Sequence, residues 1–162
     1  MDLVIREANI NDLERISKIE KICFSNAEAA TKSSIEERIR AFKESFLVAE
    51  INNEIIGFIN GAVIDSKTIF DELYENTNLH NPNGKYQSVF GLDVIPEFRN
   101  QGIAKKLMNH MIDVAKRSKR EGIVLTCKDK LIHYYEKFGF KNMGVSESVH
   151  GNVTWYDMFL KF

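Results

Sequence analysis

The first third of the chain alternates apolar and polar positions briefly and then repeats them at helical spacing. Residues 3–9 alternate and predict a strand, whereas the segment after Asn11 or Asp12 predicts an amphipathic helix with one of these residues as its N-cap. The apolar face of that helix comprises Leu13, Ile16, Ile19 and Ile22 or Cys23. A second short helix is predicted over residues 33–42, because two serines there are followed by two glutamates, as in a capping box.

The middle of the chain contains three apolar runs. Residues 45–51 and 54–65 are rich in β-branched side chains and flank an Asn-Asn pair, which predicts an antiparallel hairpin. The polar stretch 66–86 predicts a short helix and then a surface loop. Residues 87–95 return to a strand pattern, which Pro96 ends.

The longest helical pattern opens the C-terminal half of the chain. It runs from near Gly102 to about Lys119, and its predicted buried positions are Ala104, Leu107, Met108, Met111, Val114 and Ala115. Residues 122–127 are apolar throughout and predict a buried parallel strand. Residues 130–138 predict a short helix, for which Gly139 is a suitable C-terminal cap.

Two further strand patterns, residues 140–149 and 153–162, close the chain. The predicted order is a strand, two helices and a three-stranded meander, followed by helix, strand, helix and two strands. The strand–helix–strand unit over residues 87–127 requires a right-handed crossover between parallel strands. We therefore predict an α/β (α+β) fold with a mixed, mostly antiparallel sheet.

Composition limits the classes of protein to which the chain can belong. Its 162 residues, 44% of them hydrophobic, suffice for one core, so we expect a single domain over residues 1–162. No apolar run approaches the roughly 18 residues that cross a bilayer, and the N-terminus is acidic, so we expect a cytoplasmic protein without a membrane partner. Cys23 and Cys127 lie far apart and outside any CxxC motif, which indicates reduced core thiols and no metal site.

Charge is distributed unevenly along the chain. Residues 99–141 hold eleven Lys and Arg against four Asp and Glu, a net charge of +7, whereas the remainder has a net charge of -8. The overall charge of -1 argues against nucleic acid as a partner. The basic segment attracts anions as a whole, although any single lysine in it is better explained as part of a solvated helix face.

A glycine stands where the longest helix should have a capping side chain. Gly102 follows Arg99 and directly precedes the helical pattern. The first amides of a helix lack intrahelical partners, and together with the helix dipole they form an anion site. Glycine lets a phosphate approach the backbone closely, and Arg99 can bind phosphate oxygens in a bidentate manner. A glycine that merely permits a sharp turn is the alternative explanation.

Two motifs together resemble those of a known superfamily. The sequence EFRNQGIA, after an apolar strand, resembles the [RQ]xxGx[GA] pyrophosphate loop of the GNAT superfamily of acyl-CoA-dependent N-acetyltransferases. About thirty residues later, HYYEKFGF resembles the second signature of that superfamily, FYExxGF. The order of elements also agrees over nearly the whole chain. TCKDKLIHYYEKFGF and CFSNAEAAT further resemble the arylalkylamine (serotonin-type) branch and its microbial relatives.

The resemblance implies acetyl-CoA as co-substrate and a binding site where two central parallel strands splay apart between flanking helices. The backbone of Leu92, Asp93 and Val94 would bind the pantetheine arm. The pyrophosphate would be bound by Arg99, Asn100, Gln101, Gly102, Ile103, Ala104 and Lys105. The thioester would lie near Tyr135.

Acetyl transfer to an amine requires two proton movements. An alkylammonium has a pKa near 10.4, so a base must help to supply the neutral nucleophile at neutral pH. The departing thiolate, whose parent thiol has a pKa of roughly 8.5, benefits from a proton donor. Tyr135 matches the tyrosine that has this role in the superfamily. Without the resemblance, packing alone would explain Tyr135, because Leu131, Tyr134 and Phe138 share its helical face.

The general base is the least determined part of the predicted site. Ser88 and Phe90 occupy the two positions at which animal serotonin-type enzymes have histidines, and Ser88 can order a water but cannot accept a proton. Glu28, the single acid of the loop between the first two helices, is the alternative that binds the ammonium or accepts its proton; a solvated loop acid explains it equally well. His150 and His80 are weaker candidates.

Other positions bear on the cofactor and the acceptor. Lys128 replaces an asparagine that contacts pantetheine in relatives. His133 and His110 are expected on helix faces. Four aromatic residues are candidates for a wall against an arylalkylamine, or for ordinary core: Phe24, Phe90, Trp155 and Tyr156.

The sequence thus predicts an N-acetyltransferase, a monomer or homodimer, whose partner is a small cationic amine such as an arylalkylamine or polyamine. Two alternatives are acetylation of a protein N-terminus or lysine, and a catalytically idle CoA-binding module.

Overall fold

The computed structural model describes residues 2–162. Within these residues, nine strands form two sheets and five α-helices pack around them. The strands are β1 Leu3–Glu7, β2 Phe46–Ile51, β3 Glu54–Asn60, β4 Val63–Ile64, β5 Tyr86–Val89, β6 Gly91–Val94, β7 Gly122–Cys127, β8 Lys141–Val145 and β9 Tyr156–Lys161. The helices are α1 Leu13–Cys23, α2 Lys32–Phe42, α3 Glu72–Glu75, α4 Ile103–Arg117 and α5 Ile132–Glu136.

The two sheets meet where the predicted strand 87–95 is interrupted at Phe90. β5 lies in the sheet β4-β5-β7-β9-β8 and pairs parallel with β7, whereas β6 lies in the antiparallel sheet β1-β2-β3-β6. The chain therefore passes from one sheet to the other at Phe90, and β6 leaves β7 after that point. The mixed, mostly antiparallel fold with splayed strands is confirmed. The single strand predicted over residues 87–95 is replaced by two.

A close backbone crossing explains a second interruption, at Gly61. The run 54–65 was predicted as one strand but forms β3 and β4. A Cβ atom at Gly61 would lie 1.9 Å from the carbonyl oxygen of Ser88. Only glycine, which has no Cβ atom, permits so close an approach. The chain can therefore pass directly over β5 at Gly61, on its way from β3 in one sheet to β4 in the other.

The caps of the first two helices agree only in part with the predicted ones. Asn9 caps a single 3₁₀ turn before α1, because its side chain accepts from the Asn11 amide while Asp12 accepts from the Asn9 amide. The side chain of Thr31, rather than Ser33 or Ser34, caps α2 by accepting from the Ser34 amide at 3.1 Å. Asp12 is the N-cap residue of α1, as predicted, but it makes no side-chain capping bond to that helix, whereas Thr31 lies before the two serines that were predicted to cap α2.

The helices cover the antiparallel sheet and complete its core. α1 packs against β3 and β6, and α4 packs against β2, β3, β6 and β7. The buried face of α4 comprises Ile103, Leu107, Met108, Met111 and Ala115. Ala104 and Val114, which were also predicted to be buried, are half-buried at the edge of this face.

The C-terminal strands are shorter than predicted. The segment 146–155 between β8 and β9 instead lies near α3 and the loop after α1. Its contacts include a hydrogen bond from the Val149 amide to Asp71 at 3.2 Å and one from the Trp155 indole to the His150 carbonyl at 2.7 Å. These contacts place His150 and Trp155 beside the opening between β6 and β7. Within residues 2–162, no helix is both long enough and apolar enough to span a membrane.

Candidate active site

A cleft of about 290 Å³ opens where β6 leaves β7. Its lining combines the end of α1, the loop before α2, the first residues of β6, the end of β7, α5 and the segment 146–155. The lining includes Glu20, Cys23, Phe24, Glu28, Arg38, Tyr74, Phe90, Gly91, Leu92, Cys127, Lys128, Tyr135, His150 and Trp155.

The turn before α4, residues 99–105 and hereafter the glycine turn, has the geometry of an anion site. Gly102 is the N-cap residue with φ +80° and ψ 10°, and α4 has no side-chain capping bond. A Cβ built on Gly102 would meet no atom within 4 Å, so the space in front of the helix amides is open. Glycine is required here for its left-handed conformation, which residues with a Cβ rarely adopt.

Arg99 is anchored at one end and exposed at the other. Its Nε donates to the Val94 carbonyl at 2.9 Å, and its Nη2 lies 3.6 Å from the Cys23 sulfur. The residue remains exposed beside the first amides of α4. Ile103, Ala104 and Lys105 supply those amides, which have no intrahelical acceptor. Asn100, with φ +62°, and Gln101, whose side chain reaches the Glu97 carbonyl, complete the turn.

The strand before the glycine turn presents a backbone edge to the cleft. β6 pairs with β3 on one side, and Gly91 and Leu92 line the cleft. Val94 is buried and its carbonyl is already occupied by Arg99, so less of this edge is free than the sequence implied. The side chain of Asp93 is buried beneath the edge.

Tyr135 lines the cleft from α5 and is also part of the core. Its ring packs edge-on against Tyr134 at 5.1 Å and against Phe140 at 5.8 Å between ring centroids. Burial raises the pKa of its phenol, and the neighbouring Tyr134, Cys127 and Asp93 raise this pKa further. The phenol is therefore protonated at neutral pH and can act as a proton donor. The two roles considered for Tyr135, packing and acid catalysis, are compatible.

Ser88 does not reach the cleft, contrary to the prediction. It is 0% exposed, and its hydroxyl donates to the Ala62 carbonyl at 2.7 Å. β5 is an inner strand between β4 and β7, and the break at Phe90 leaves Ser88 below the opening. Its hydroxyl is thus committed to a backbone contact, and we do not retain it as a catalytic candidate.

Glu28 lies in the cleft, where it forms an ion pair that sequence reasoning did not foresee. Its carboxylate is 3.0 Å from the Lys128 ammonium, and the Ser25 hydroxyl donates to it at 3.1 Å. Its backbone carbonyl lies 2.8 Å from His150 Nε2, which must carry the proton of this hydrogen bond. Lys128 therefore partly neutralises the acid that was predicted to meet an ammonium.

The remaining histidines lie outside the catalytic arrangement. His80 accepts from the Val63 amide at 3.0 Å through Nδ1, packs on Phe42, and has a pKa that burial lowers. His110 and His133 are exposed on α4 and α5, as expected. His150 is the only one of the four that lines this cleft among the described residues.

Aromatic rings form a continuous wall along the cleft. Tyr74 lies 5.1 Å from Phe90 and stacks on His150 at 5.4 Å, and His150 lies 6.3 Å from Trp155, between ring centroids. Phe24, Phe90 and Trp155 line the cleft as predicted, whereas Tyr156 begins β9 and does not. Tyr74 was missed because it lies in the polar stretch 66–86.

A buried polar cluster was also missed. Glu20 lines the cleft and accepts from the Ala30 amide at 2.8 Å, while Asp93 is 1% exposed. Arg38 donates to the Asn60 side chain at 3.1 Å and to the Tyr74 carbonyl at 2.8 Å. The spacing Ile16, Glu20, Cys23 on α1 could have indicated an inward-facing acid, but hydrophobic periodicity alone assigned Glu20 to no site.

Comparison with protein families identifies the chain. The family model of the acetyltransferase (GNAT) family matches residues 13–140, which include the glycine turn and Tyr135. The chain belongs to the acetyltransferase (GNAT) family. Serotonin N-acetyltransferase of Mesocricetus auratus, a curated relative, is 29% identical over 105 residues, which cover 64% of this chain and 49% of that protein. The chain thus spans about half the length of this relative.

Solved structures agree with the GNAT fold. The loading GNATL domain of CurA from Lyngbya majuscula superposes with a TM-score of 0.86 at 18% identity, covering 99% of this chain and 98% of that one. Naa50 of Arabidopsis thaliana, solved with the bisubstrate analogue CoA-Ac-MVNAL, superposes with a TM-score of 0.78 at 17% identity, with both chains covered fully at 100%. At these identities the likeness establishes the fold alone.

Proposed function

We propose that this protein is an acetyl-CoA-dependent N-acetyltransferase that acts on a small, cationic primary amine. One observation carries the proposal: a single cleft has an open β6 edge near the glycine turn, the protonated Tyr135, and a wall of acids and aromatic rings. A donor that carries phosphates and a cationic acceptor would therefore meet in the same space. The family membership of the chain supports acetyl transfer as the reaction class.

The residues present fit acetyl-CoA. Arg99 and the open amides at the start of α4 match the charge of a pyrophosphate, and Gly102 leaves the approach unobstructed. The backbone of Gly91 and Leu92 offers an edge to which an extended amide-containing arm can add. When bound, acetyl-CoA supplies an activated acetyl group as a thioester.

Tyr135 acts as the general acid in this proposal. It holds a proton on its phenol oxygen and, as a residue that lines the cleft, would deliver that proton to the departing sulfur. Its raised pKa keeps this proton available at every pH at which an amine acceptor is studied. Cys127, which also lines the cleft, has a pKa raised to about 11 by burial and stays a neutral thiol.

The acceptor end of the cleft, defined by Glu20, Glu28, Tyr74, Phe90, Lys128, His150 and Trp155, favours a small molecule. The loop that holds Glu28 is joined to the segment 146–155: a Cβ at Gly151 would lie 2.7 Å from the Glu28 Cγ. This contact narrows the acceptor end where an extended peptide would need room. Faces of aromatic rings and carboxylates together favour an ammonium on an arylalkyl or polyamine skeleton.

An acceptor screen tests the proposal. Purified protein is incubated with acetyl-CoA and, separately, with tryptamine, 2-phenylethylamine, spermidine, an aminoglycoside and peptides with free N-termini. Released thiol and the acetylated product are measured, with a matched Tyr135→Phe protein as control. We expect turnover with the small amines. Turnover with peptides alone would contradict the small-amine assignment, and CoA binding without any turnover would indicate an idle CoA-binding module.

A further inference from the structure

Glu20 on α1 and Asp93 on β6 form a pair of carboxyl groups beside Gly91, the first residue of β6. A Cβ built on Gly91 would lie 3.2 Å from Asp93 Oδ1 and 4.0 Å from Glu20 Oε1, so both carboxyls converge on the same glycine. Gly91 itself lines the cleft, as does Glu20. Glu20 thus reaches the space where the substrates would meet, and because residue 91 has no side chain, Asp93 lies close behind it.

The pair lacks the donors that two carboxylates would need. Within residues 2–162, neither oxygen of Asp93 has a hydrogen-bond donor, although both are inaccessible to solvent. The Glu20 carboxyl is the other acid that converges on Gly91, and its charge acts on Asp93. Two ionised carboxylates can only accept, so a hydrogen bond between them requires a proton on one of them.

The charged surroundings favour a single proton on the pair. Cys23 and Glu20 face Asp93 from α1, Arg38 faces it from α2, and Tyr135 faces it from α5. Burial raises the pKa of Asp93 well above its ordinary value, Glu20 raises it further, and Arg38 lowers it. With one shared proton, the pair has one negative charge that balances the buried Arg38 guanidinium.

We propose that the Glu20–Asp93 pair is the proton acceptor for the incoming amine. This inference rests on the proposed acetyl transfer and supplies the base that Ser88 cannot. Glu20 meets the substrate because it lines the cleft, and Asp93 is a positioning residue that acts through Glu20. The Asp93 and Arg38 side chains lie on separate elements, β6 and α2, so the geometry is set by the fold rather than by a local motif.

Protons and charge balance when the pair takes a proton from the amine. An ammonium that docks beside Glu20 favours the charged form of the pair, so the resting proton leaves to solvent and two negative charges face two positive ones. One N–H bond of the ammonium then breaks and its proton goes to the pair. The freed electron pair on nitrogen would form the new bond to the acetyl carbonyl carbon as the C–S bond of the thioester breaks. Tyr135 would protonate the departing sulfur, and the second proton lost by nitrogen would return to the Tyr135 oxygen. The pair returns to its singly protonated state.

Infrared spectroscopy tests the shared proton without any turnover. The carbonyl stretch of a protonated carboxyl is recorded at pH 7 for the parent protein and for Asp93→Asn, with Glu28→Gln as a control in the same cleft. We expect a band in the parent and in Glu28→Gln that is absent from Asp93→Asn and weakens when 2-phenylethylammonium chloride is added. A parent spectrum identical to that of Asp93→Asn would overturn the proposal.

Kinetics test the use of that proton. With 2-phenylethylamine at pH 7, Asp93→Asn and Glu20→Gln should each lower kcat/KM by about a hundred- to ten-thousand-fold while acetyl-CoA binding is retained. Activity should recover toward pH 10, where the solvent supplies neutral amine. With 2,2-difluoro-2-phenylethylamine, whose fluorines lower its basicity, the loss should be small, because little deprotonation is needed.

These measurements distinguish a failure of the Glu20–Asp93 proposal from a failure of the proposed acetyl transfer. An equal loss with both amines, or no loss with either, would overturn the role of the pair, since only a base distinguishes the two acceptors. If Asp93→Asn fails to fold, Glu20→Gln provides the same comparison, because Gln retains the oxygen that accepts from the Ala30 amide. Failure of the parent protein to acetylate any amine would instead refute the proposed function, and the infrared band would still report the shared proton.

Discussion

The glycine turn and the acceptor end of the cleft are built in opposite ways. The turn is one continuous stretch, residues 99–105, whose conformation follows from a left-handed glycine and the start of one helix. The acceptor end is assembled from α1, the loop after it, α3, Phe90, Lys128 and the segment 146–155, and its hydrogen bond between Glu28 and His150 joins residues 122 positions apart. The glycine turn is a local structure suited to one chemical group, the pyrophosphate. The acceptor end is held together by tertiary contacts, so its residues can be changed one at a time.

Tyr135→Phe should have the largest effect, because the proposed proton donation by Tyr135 is needed once the cofactor and the acceptor have both bound. The variant loses the phenol proton but retains the ring packing against Tyr134 and Phe140. General acid catalysis contributes about a hundred- to ten-thousand-fold, so kcat should fall within that range while the protein remains folded. Steady-state kinetics with the best acceptor of the screen measure the change.

The neighbouring Tyr134→Phe is the matched control and should change kcat little, since Tyr134 is not among the lining residues. Because burial raises the pKa of Tyr135, the parent should not lose activity through phenol ionisation below about pH 10. Parent-like turnover by Tyr135→Phe would mean that water or the substrate ammonium protonates the sulfur.

Gly102→Asp tests the glycine turn without changing the acceptor end. Aspartate and asparagine have nearly the same size and both tolerate the left-handed conformation, so Gly102→Asn reports the effect of the side chain alone. Aspartate adds a negative charge where the helix dipole and a pyrophosphate meet. We expect its CoA affinity, measured by calorimetry, to be at least about tenfold lower than that of the asparagine variant. Equal affinities would place the pyrophosphate elsewhere.

The contrast between the regions also explains what could be predicted from sequence. The glycine turn and α4 are contiguous patterns, and residue types at fixed spacing were enough to locate them, whereas Tyr135 was singled out through the resemblance of HYYEKFGF to a family signature. The break of one strand at Phe90 depends on which sheet each half joins, which periodicity does not report. For the same reason Ser88 was assigned to the cleft although it packs beneath Gly61.

The acceptor end depended on pairings that only the fold reveals. The Glu28 and Lys128 charges belong to segments 100 residues apart, and the two carboxyls of Glu20 and Asp93 come together through the packing of α1 on β6. Asp93 was predicted for its backbone, and its side chain proved to be the unusual feature. Sequence spacing is uninformative for such contacts.

Glu28→Gln should have a moderate effect confined to the acceptor. The change leaves the Lys128 ammonium without its carboxylate partner, so a positive charge faces the incoming amine. A partly buried charge pair of this kind contributes about 1 kcal/mol, which corresponds to a roughly fivefold rise in the acceptor KM. CoA affinity should not change. Removing both charges in Glu28→Gln, Lys128→Met should bring KM back toward the parent value; an unaltered KM in the single variant would exclude Glu28 from acceptor binding.

Ser88→Ala should have the smallest effect. It tests whether a residue that was assigned to the site from sequence, but that the fold buries away from the cleft, takes part in the reaction. The Ser88 hydroxyl donates to the Ala62 carbonyl, which also accepts from the Ser88 amide at 2.9 Å, so that carbonyl keeps a partner when the hydroxyl is removed. Loss of one buried hydrogen bond should lower the free energy of unfolding by about 1 kcal/mol, as measured by urea denaturation. kcat and KM should stay at parent values at every pH, because no substrate contacts this side chain. A change in the pH profile of kcat/KM would return Ser88 to the site and weaken the assignment of the base to the buried carboxyl pair.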